Sequence, residues 1–276
     1  MAETGQELPE GVPVRGAEAS LNAWARPMEE GLPTGQTPGA AFRANLQGRQ
    51  VNSPLQGFGQ LWQRTYRVRL SGVNATPAEV MATWKANFPQ FQPPENHFYA
   101  SAAGFKPGEL VFIDSSLIEG PGVGAVTEIA SGVMIIYADD VSMTVMTPEG
   151  FPVSGWNTFS VHEEDGATVA QVQGLERATD PIYEFGYRFL GGEQKQDATW
   201  IHVLRALAAH YGVNAHVQAH KTCVDRKVQW AYAGNVRHNA AIRTLLFKLT
   251  APLRWVRDRA GLGPTPDSAE ETPVER

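Results

Sequence analysis

The period of the hydrophobic pattern changes several times along this chain, and each change marks a new element. Tyr66, Val68 and Leu70 alternate with Arg67 and Arg69, the signature of a strand with one solvated face. In the segment Thr76-Pro77-Ala78-Glu79 that follows, a Thr76 hydroxyl can cap free N–H groups, Pro77 suits a first helical position and Glu79 can reach back. A helix is expected from residue 77. It carries Val80, Met81, Trp84 and Phe88 at helical spacing until Pro89 and Pro93-Pro94 forbid continuation.

From 108 to 175 the signals are of strand type. Residues 110–113, 132–138, 141–147, 155–161 and 169–175 are rich in β-branched or aromatic side chains. The separators Asp139-Asp140, Thr147-Pro148-Glu149-Gly150 and Glu163-Glu164-Asp165-Gly166 are turn chemistry, short enough for antiparallel neighbours only. A second helix is then expected from about Gln196, with Trp200, Val203, Leu204, Leu207, Ala208 and Tyr211 on one broad side and Gly212 as its stop. This order predicts an α+β fold, a curved antiparallel sheet whose hollow side is closed by the last helix.

Composition adjusts that picture at its ends. Residues 1–50 contain seven Gly and five Pro without a sustained apolar period, so 1–54 reads as a mostly disordered leader, with Trp24 a candidate to dock on the body. The Pro-rich, charged stretch 263–276 reads as a disordered tail. The net charge of -6 conceals an asymmetry, because residues 214–262 hold nine Lys or Arg against two Asp. That segment reads as a basic helical extension beside the main domain, 55–213. Its apolar stripe of Ile242, Leu245, Leu246, Leu249, Leu253 and Val256, interrupted at Pro252, suits packing on its own domain, on a second copy or on a protein partner through 236–259. Peripheral contact with an anionic membrane is the further option. No nucleic-acid-binding module accompanies the charge.

The longest apolar run, 132–138, is far below the roughly 20 residues that cross a bilayer, and the start of the chain shows no secretory signal. With Cys223 the single cysteine, an intrachain disulfide is excluded. The expected location is cytoplasmic.

The segment Thr147-Pro148-Glu149-Gly150-Phe151-Pro152-Val153-Ser154-Gly155-Trp156-Asn157-Thr158-Phe159-Ser160-Val161, followed by Val169 to Arg177 and by Asp180-Pro181, resembles a turn-and-strand motif of the START-like (SRPBCC, helix-grip) superfamily. Within it the likeness is to bacterial proteins of unknown function. It covers about residues 60 to 213 and departs from the pattern at Phe151, where a His is common. The superfamily includes polyketide cyclases, lipid-transfer domains and the birch-pollen allergen. The resemblance therefore implies an internal cavity for a small hydrophobic or lipid-like molecule, with no cofactor.

The candidate lining comprises Trp84, Tyr137, Trp156, Asn157, Thr158, Gln171, Gln173, Arg177 and Trp200. Strand register is open at this stage, so either Trp156 with Thr158 or Asn157 with Phe159 faces inward. Arg177, with Asp180, Tyr183 and Glu184, offers a polar rim able to receive an anionic head group or to form structural ion pairs. Gly120-Pro121-Gly122-Val123-Gly124 is a candidate lid. His216, His220 and Cys223 would share a face if helical and could then ligate zinc or copper, but no recognised metal signature is present. Nucleophile elbow, dinucleotide and Walker motifs are also absent. Three readings remain. The chain binds a hydrophobic ligand, it is a cyclase- or dehydratase-type enzyme using the same cavity, or it is a solid fold whose basic arm carries an interaction function.

Overall fold

The computed structural model describes residues 42, 45–99, 104–116, 128–251, 253 and 259. Expectations at Trp24, Gly120–Gly124, Val256 and 263–276 lie outside them. The order of elements is β1 (Leu61–Leu70), α1 (Pro77–Ala86), β2 (His97–Tyr99), β3 (Leu110–Ser116), β4 (Glu128–Ala138), β5 (Ser142–Met146), β6 (Val153–Glu164), β7 (Ala167–Ala178), α2 (Pro181–Phe189), α3 (Gly192–His210), β8 (Val217–Asp225) and α4 (Ala240–Leu249). Short 3-10 turns lie at Pro54–Gln56 and Trp230–His238. One eight-stranded sheet runs in the order β2-β3-β4-β5-β6-β7-β1-β8, and all its pairings are antiparallel. This is the helix-grip arrangement, with α1 and α3 on one face of the sheet.

Local chemistry sets the boundaries. The Thr76–Glu79 capping box forms as the sequence suggests, with Thr76 Oγ1 accepting from the Glu79 N–H at 3.3 Å and the Glu79 carboxylate accepting from the Thr76 N–H at 2.8 Å. Between β6 and β7 the chain reverses through Asp165 and Gly166, both left-handed (φ 47° and 70°), as a tight turn matching the twist of two strands requires. In the β4–β5 turn, Asp139 Oδ1 accepts from the N–H groups of Val141 and Ser142 at 2.9 and 2.7 Å.

The principal core lies between sheet and helices. Tyr66 and Val68 of β1, Val133 and Ile135 of β4, Phe159 and Val161 of β6, and Ala170 and Val172 of β7 all point to this face. Val203, Leu204, Leu207 and Ala208 of α3 close over them, each with 0% exposure. Val80, Met81 and Trp84 of α1 are equally enclosed. A strand face of Val, Ile and Phe cannot be left wet, and these two helices keep it dry.

Three features differ from the sequence expectation. First, 217–225 is not part of a helical extension; it forms β8, paired antiparallel with β1 along the edge that β1 would otherwise leave open. Second, Pro181–Phe189 forms the extra helix α2, capped by Asp180, whose Oδ1 accepts from the N–H groups of Ile182 and Tyr183 at 2.8 and 3.0 Å. Third, the end of the segment assigned to a leader is packed. Phe42 and Leu46 bury against Phe112 and Ala130 on the outer face of the sheet, and α4 lies against β4 on that side. Asn45, 2% exposed, joins the two layers by donating from Nδ2 to Ala130 O at 2.8 Å and to Thr244 Oγ1 at 3.0 Å. A sheet with apolar residues on both faces needs two covers, and the second comes from the two ends of the chain.

Two substitutions test this account. Leu207→Ala removes a fully enclosed side chain and should lower unfolding free energy by about 2–5 kcal/mol in urea titration. Asn45→Ala leaves Ala130 O and Thr244 Oγ1 without that donor and should lower it by about 1–3 kcal/mol; unchanged stability would show that the 42–46 segment does not contribute to the fold.

Candidate functional site

The two halves of α3 meet the sheet differently. Toward its C-terminus the helix presents Leu204 and Leu207 and leaves no space. Toward its N-terminus it presents Gly192, Lys195, Gln196, Thr199 and Trp200, and here a cavity of about 140 Å³ opens between helix and sheet. Its walls are mainly apolar, with Ile113, Ile129, Val133, Val145 and Phe159 from the strands and Phe88 and Phe98 beside α1 and β2. Trp200 stands edge-on to Phe159 at 5.5 Å between ring centroids. The volume is below the roughly 300–1,000 Å³ of drug-sized ligand sites and near the ~150 Å³ known to admit benzene.

A few polar groups interrupt this lining. Asn96 Oδ1 and Gln196 Oε1 are buried without a hydrogen-bond partner among the described residues. Asn157 also faces the cavity, and Gly174 on the neighbouring strand gives it room, since a Cβ there would stand 2.4 Å from Asn157 Oδ1. Most buried polar atoms in folded proteins are paired. The amides of Asn96, Asn157 and Gln196 are thus polar points in an otherwise mainly apolar lining.

Beside the cavity the inner face turns charged. Arg64 of β1, 4% exposed, places Nε 3.2 Å from Glu176 Oε1 and one terminal nitrogen 3.3 and 3.4 Å from Glu193 and Asp197 of α3. Lys221 of β8 reaches the same two carboxylates at 2.9 and 2.7 Å. Tyr66 donates to Asp197 Oδ1 at 2.5 Å, and Gln196 donates to Glu176 Oε1 at 2.6 Å. Gln196 thus belongs to both the cavity wall and the charged layer.

Burial pushes the Glu176 carboxyl above the usual range, with Arg64 and Gln196 pulling it back. Arg64 also loses hydration, the largest single effect on it, but Glu176, Tyr66, Tyr187 and Glu193 together outweigh that loss and hold the guanidinium charged. For Glu193 burial acts upward, yet Lys221 and Arg64 together hold its carboxyl below the ordinary value. Burial likewise raises the phenol of Tyr187, which lies between the cavity and this layer.

Of the nine residues expected at the cavity, Asn157 and Trp200 line it. Trp84 is wholly enclosed in the core, 5.5 Å from the ring of Phe159. Pairing of Phe159 with Val172 fixes the inward set, so Trp156, Thr158, Gln171 and Gln173 face outward; Thr158 Oγ1 lies 3.0 Å from Thr144 Oγ1 there. Tyr137 is turned out by an irregularity of register between Ile135 and Tyr137 and bonds Asp139 at 2.6 Å.

Arg177 is no rim residue. It is 2% exposed, lies 3.5 Å from Asp225, and with the Gln229 amide oxygen turned toward it is bridged at 2.6 and 3.2 Å. Asp180 caps α2 and accepts from Asn239 Nδ2 at 2.8 Å, while Glu184 pairs with Arg188 at 2.6 Å. His220 and Cys223 sit on a strand, where a separation of three places them on opposite faces. Among the described residues no cluster of His, Cys, Asp or Glu is arranged to hold a metal, and no helix is long and apolar enough to cross a membrane.

Sequence reading missed Asn96, Lys195, Gln196 and Thr199. The i, i+4 relation of 195 and 199 was legible, but not which side of α3 would meet the sheet.

The charged layer yields two expectations. Arg64→Met strands Glu176 in the interior and should cost about 3–5 kcal/mol in chemical unfolding, with much of it restored in the double variant carrying Glu176→Leu. Because the Glu193 carboxyl is held low, its contribution is complete above the unfolded value of about 4.3 and is lost as pH falls through the lower folded value. The stability gap between the parent and Glu193→Gln should accordingly be widest near neutral pH and close on acidification.

No family model matches the chain, and no curated protein matches it. Solved structures do. The KanY protein is 12% identical, with 56% of this chain and 99% of that one covered and a TM-score of 0.41. Major latex-like protein 151 of Panax ginseng is 14% identical, covering 55% and 99%, at 0.37. The di-domain ARO/CYC StfQ of the steffimycin biosynthetic pathway is 10% identical at 0.42, covering 56% of this chain and only 53% of that one. The strand order and the seat of α3 on the inner face of the sheet give this chain an α+β helix-grip fold.

Proposed function

We propose that this protein binds a small, mainly apolar molecule carrying a hydrogen-bond donor, enclosed between the sheet and the N-terminal half of α3. The observation that carries the reading is the cavity of about 140 Å³ with apolar walls and the unpaired acceptors Asn96 Oδ1 and Gln196 Oε1. Burial of apolar surface supplies the affinity, at roughly 25 cal/mol per Å². The two amides supply orientation, because a donor placed elsewhere on the ligand would be desolvated without a partner. The size of the cavity favours a single ring or a short chain.

The packed half of α3 contributes by being rigid. Leu204 and Leu207 hold the helix against the sheet, so the cavity exists without the ligand having to pry the layers apart, and little binding energy is spent on opening it.

Native mass spectrometry of freshly purified protein tests the reading together with calorimetric titration of indole, an apolar molecule with one N–H. A co-purified small molecule, or saturable one-to-one indole binding, is expected. Val145→Phe, which places a ring in the cavity, should fold and weaken indole at least tenfold. Indole binding that is absent from the parent, or unaffected by Val145→Phe, would count against an internal site.

A further inference from the structure

The cavity does not end at the helix. Lys195 and Thr199, one turn apart on α3, line it from inside and also line a surface groove of about 510 Å³ bounded by Pro93, Pro94 and Glu95 on one side and by Leu190 and Gln194 on the other. The two spaces meet at these two side chains. Among the described residues lining the inner cavity Lys195 is the single charged one, and its side chain is 19% exposed, with the ammonium 4.0 Å from Glu95 Oε1 across the groove. A lysine in this position lays an apolar stem along the wall and holds its charge at the boundary.

Resting on the cavity reading above, we propose that the ligand is an amphipathic acid, whose apolar part fills the inner cavity and whose carboxylate meets Lys195 at the junction with the outer groove. Three observations converge on this class. Among the described residues the inner lining contains no carboxylate to repel an anion. Lys195 borders both spaces, so its ammonium lies at the edge of the inner cavity and of the outer groove alike. One carboxylate near it, Glu95, is at the outer limit of ion-pair distance, and the Glu95 side chain is 34% exposed, so water screens that pair. A ligand carboxylate arriving from the apolar side would be less screened and would gain a charge-assisted contact. Thr199, on the same face of α3, adds a hydroxyl at the same boundary.

The geometry also gives Glu95 a role. It competes with the ligand for the ammonium, so its removal should strengthen binding of the acid, whereas removal of Lys195 should weaken it. A purely structural Glu95–Lys195 pair would make both changes act in one direction.

The test uses the full chain and two matched probes, 4-phenylbutyrate and 4-phenylbutanol, titrated by calorimetry at neutral pH and low salt. The parent should bind the acid at least tenfold more tightly than the alcohol. Lys195→Met should collapse that ratio to near one, Lys195→Arg should preserve it, and Glu95→Gln should raise it severalfold. Added salt should reduce the ratio, as expected for an ion pair at a partly open site. Equal affinity of the parent for acid and alcohol overturns this inference while leaving the cavity reading intact. So does a ratio untouched by Lys195→Met. Failure of both probes and of indole to bind a folded parent overturns the two together.

Discussion

The fold depends on keeping water from the inner face of one antiparallel sheet. Eight strands side by side expose a continuous surface of Tyr66, Val133, Ile135, Phe159 and Val172 that has to be covered. Helices α1 and α3 cover it together, and the longer is α3, whose nineteen residues span about 28 Å at the usual rise per residue. Leu204 and Leu207 therefore do more than fill space. They fix the height of the helix above the strands, and that height sets how much room remains at its other end.

What remains at the other end is divided by polarity. The side of α3 bearing Lys195, Gln196, Thr199 and Trp200 borders the apolar cavity, while Glu193 and Asp197 turn to Arg64 and Lys221. Successive residues of one helical turn thus serve two environments. The charged layer fastens the helix start to β1 and β8, so the N-terminal half can stand off the sheet without being loose. An apolar anchor at one end and an ionic one at the other are what allow a cavity in a protein interior that otherwise packs to crystal density. Gln196 ties the two regions, donating to Glu176 while its acceptor oxygen stays unpaired.

The outer face follows the same logic on a smaller scale. Phe112 and Ala130 would be exposed on the convex side were they not covered by Phe42, Leu46 and α4. Asn45 and Thr244 meet there, 199 residues apart in sequence. The C-terminal region is thereby part of the domain. Its charge is distributed accordingly, with Lys221 spent on the layer under α3.

Elements with local signals are legible from the residues alone. Alternation at Tyr66-Val68-Leu70, the Thr76–Glu79 box, the Asp165-Gly166 reversal and the apolar side of α3 each depend on neighbours a few residues away, and together they specify the α+β grip. Asp180-Pro181 carries an equally local start signal for α2. Which face each residue joins depends instead on pairings between distant parts of the chain. A single irregularity beyond Ile135 turned Tyr137 outward, and the pairing of Phe159 with Val172 selected Asn157 over Trp156. The spacing of His216, His220 and Cys223 has one meaning on a helix and another on β8, and the choice was made by the open edge of β1. The cavity itself has no local signature, because it arises from the distance between α3 and the sheet, and that distance is set by side chains from many strands at once.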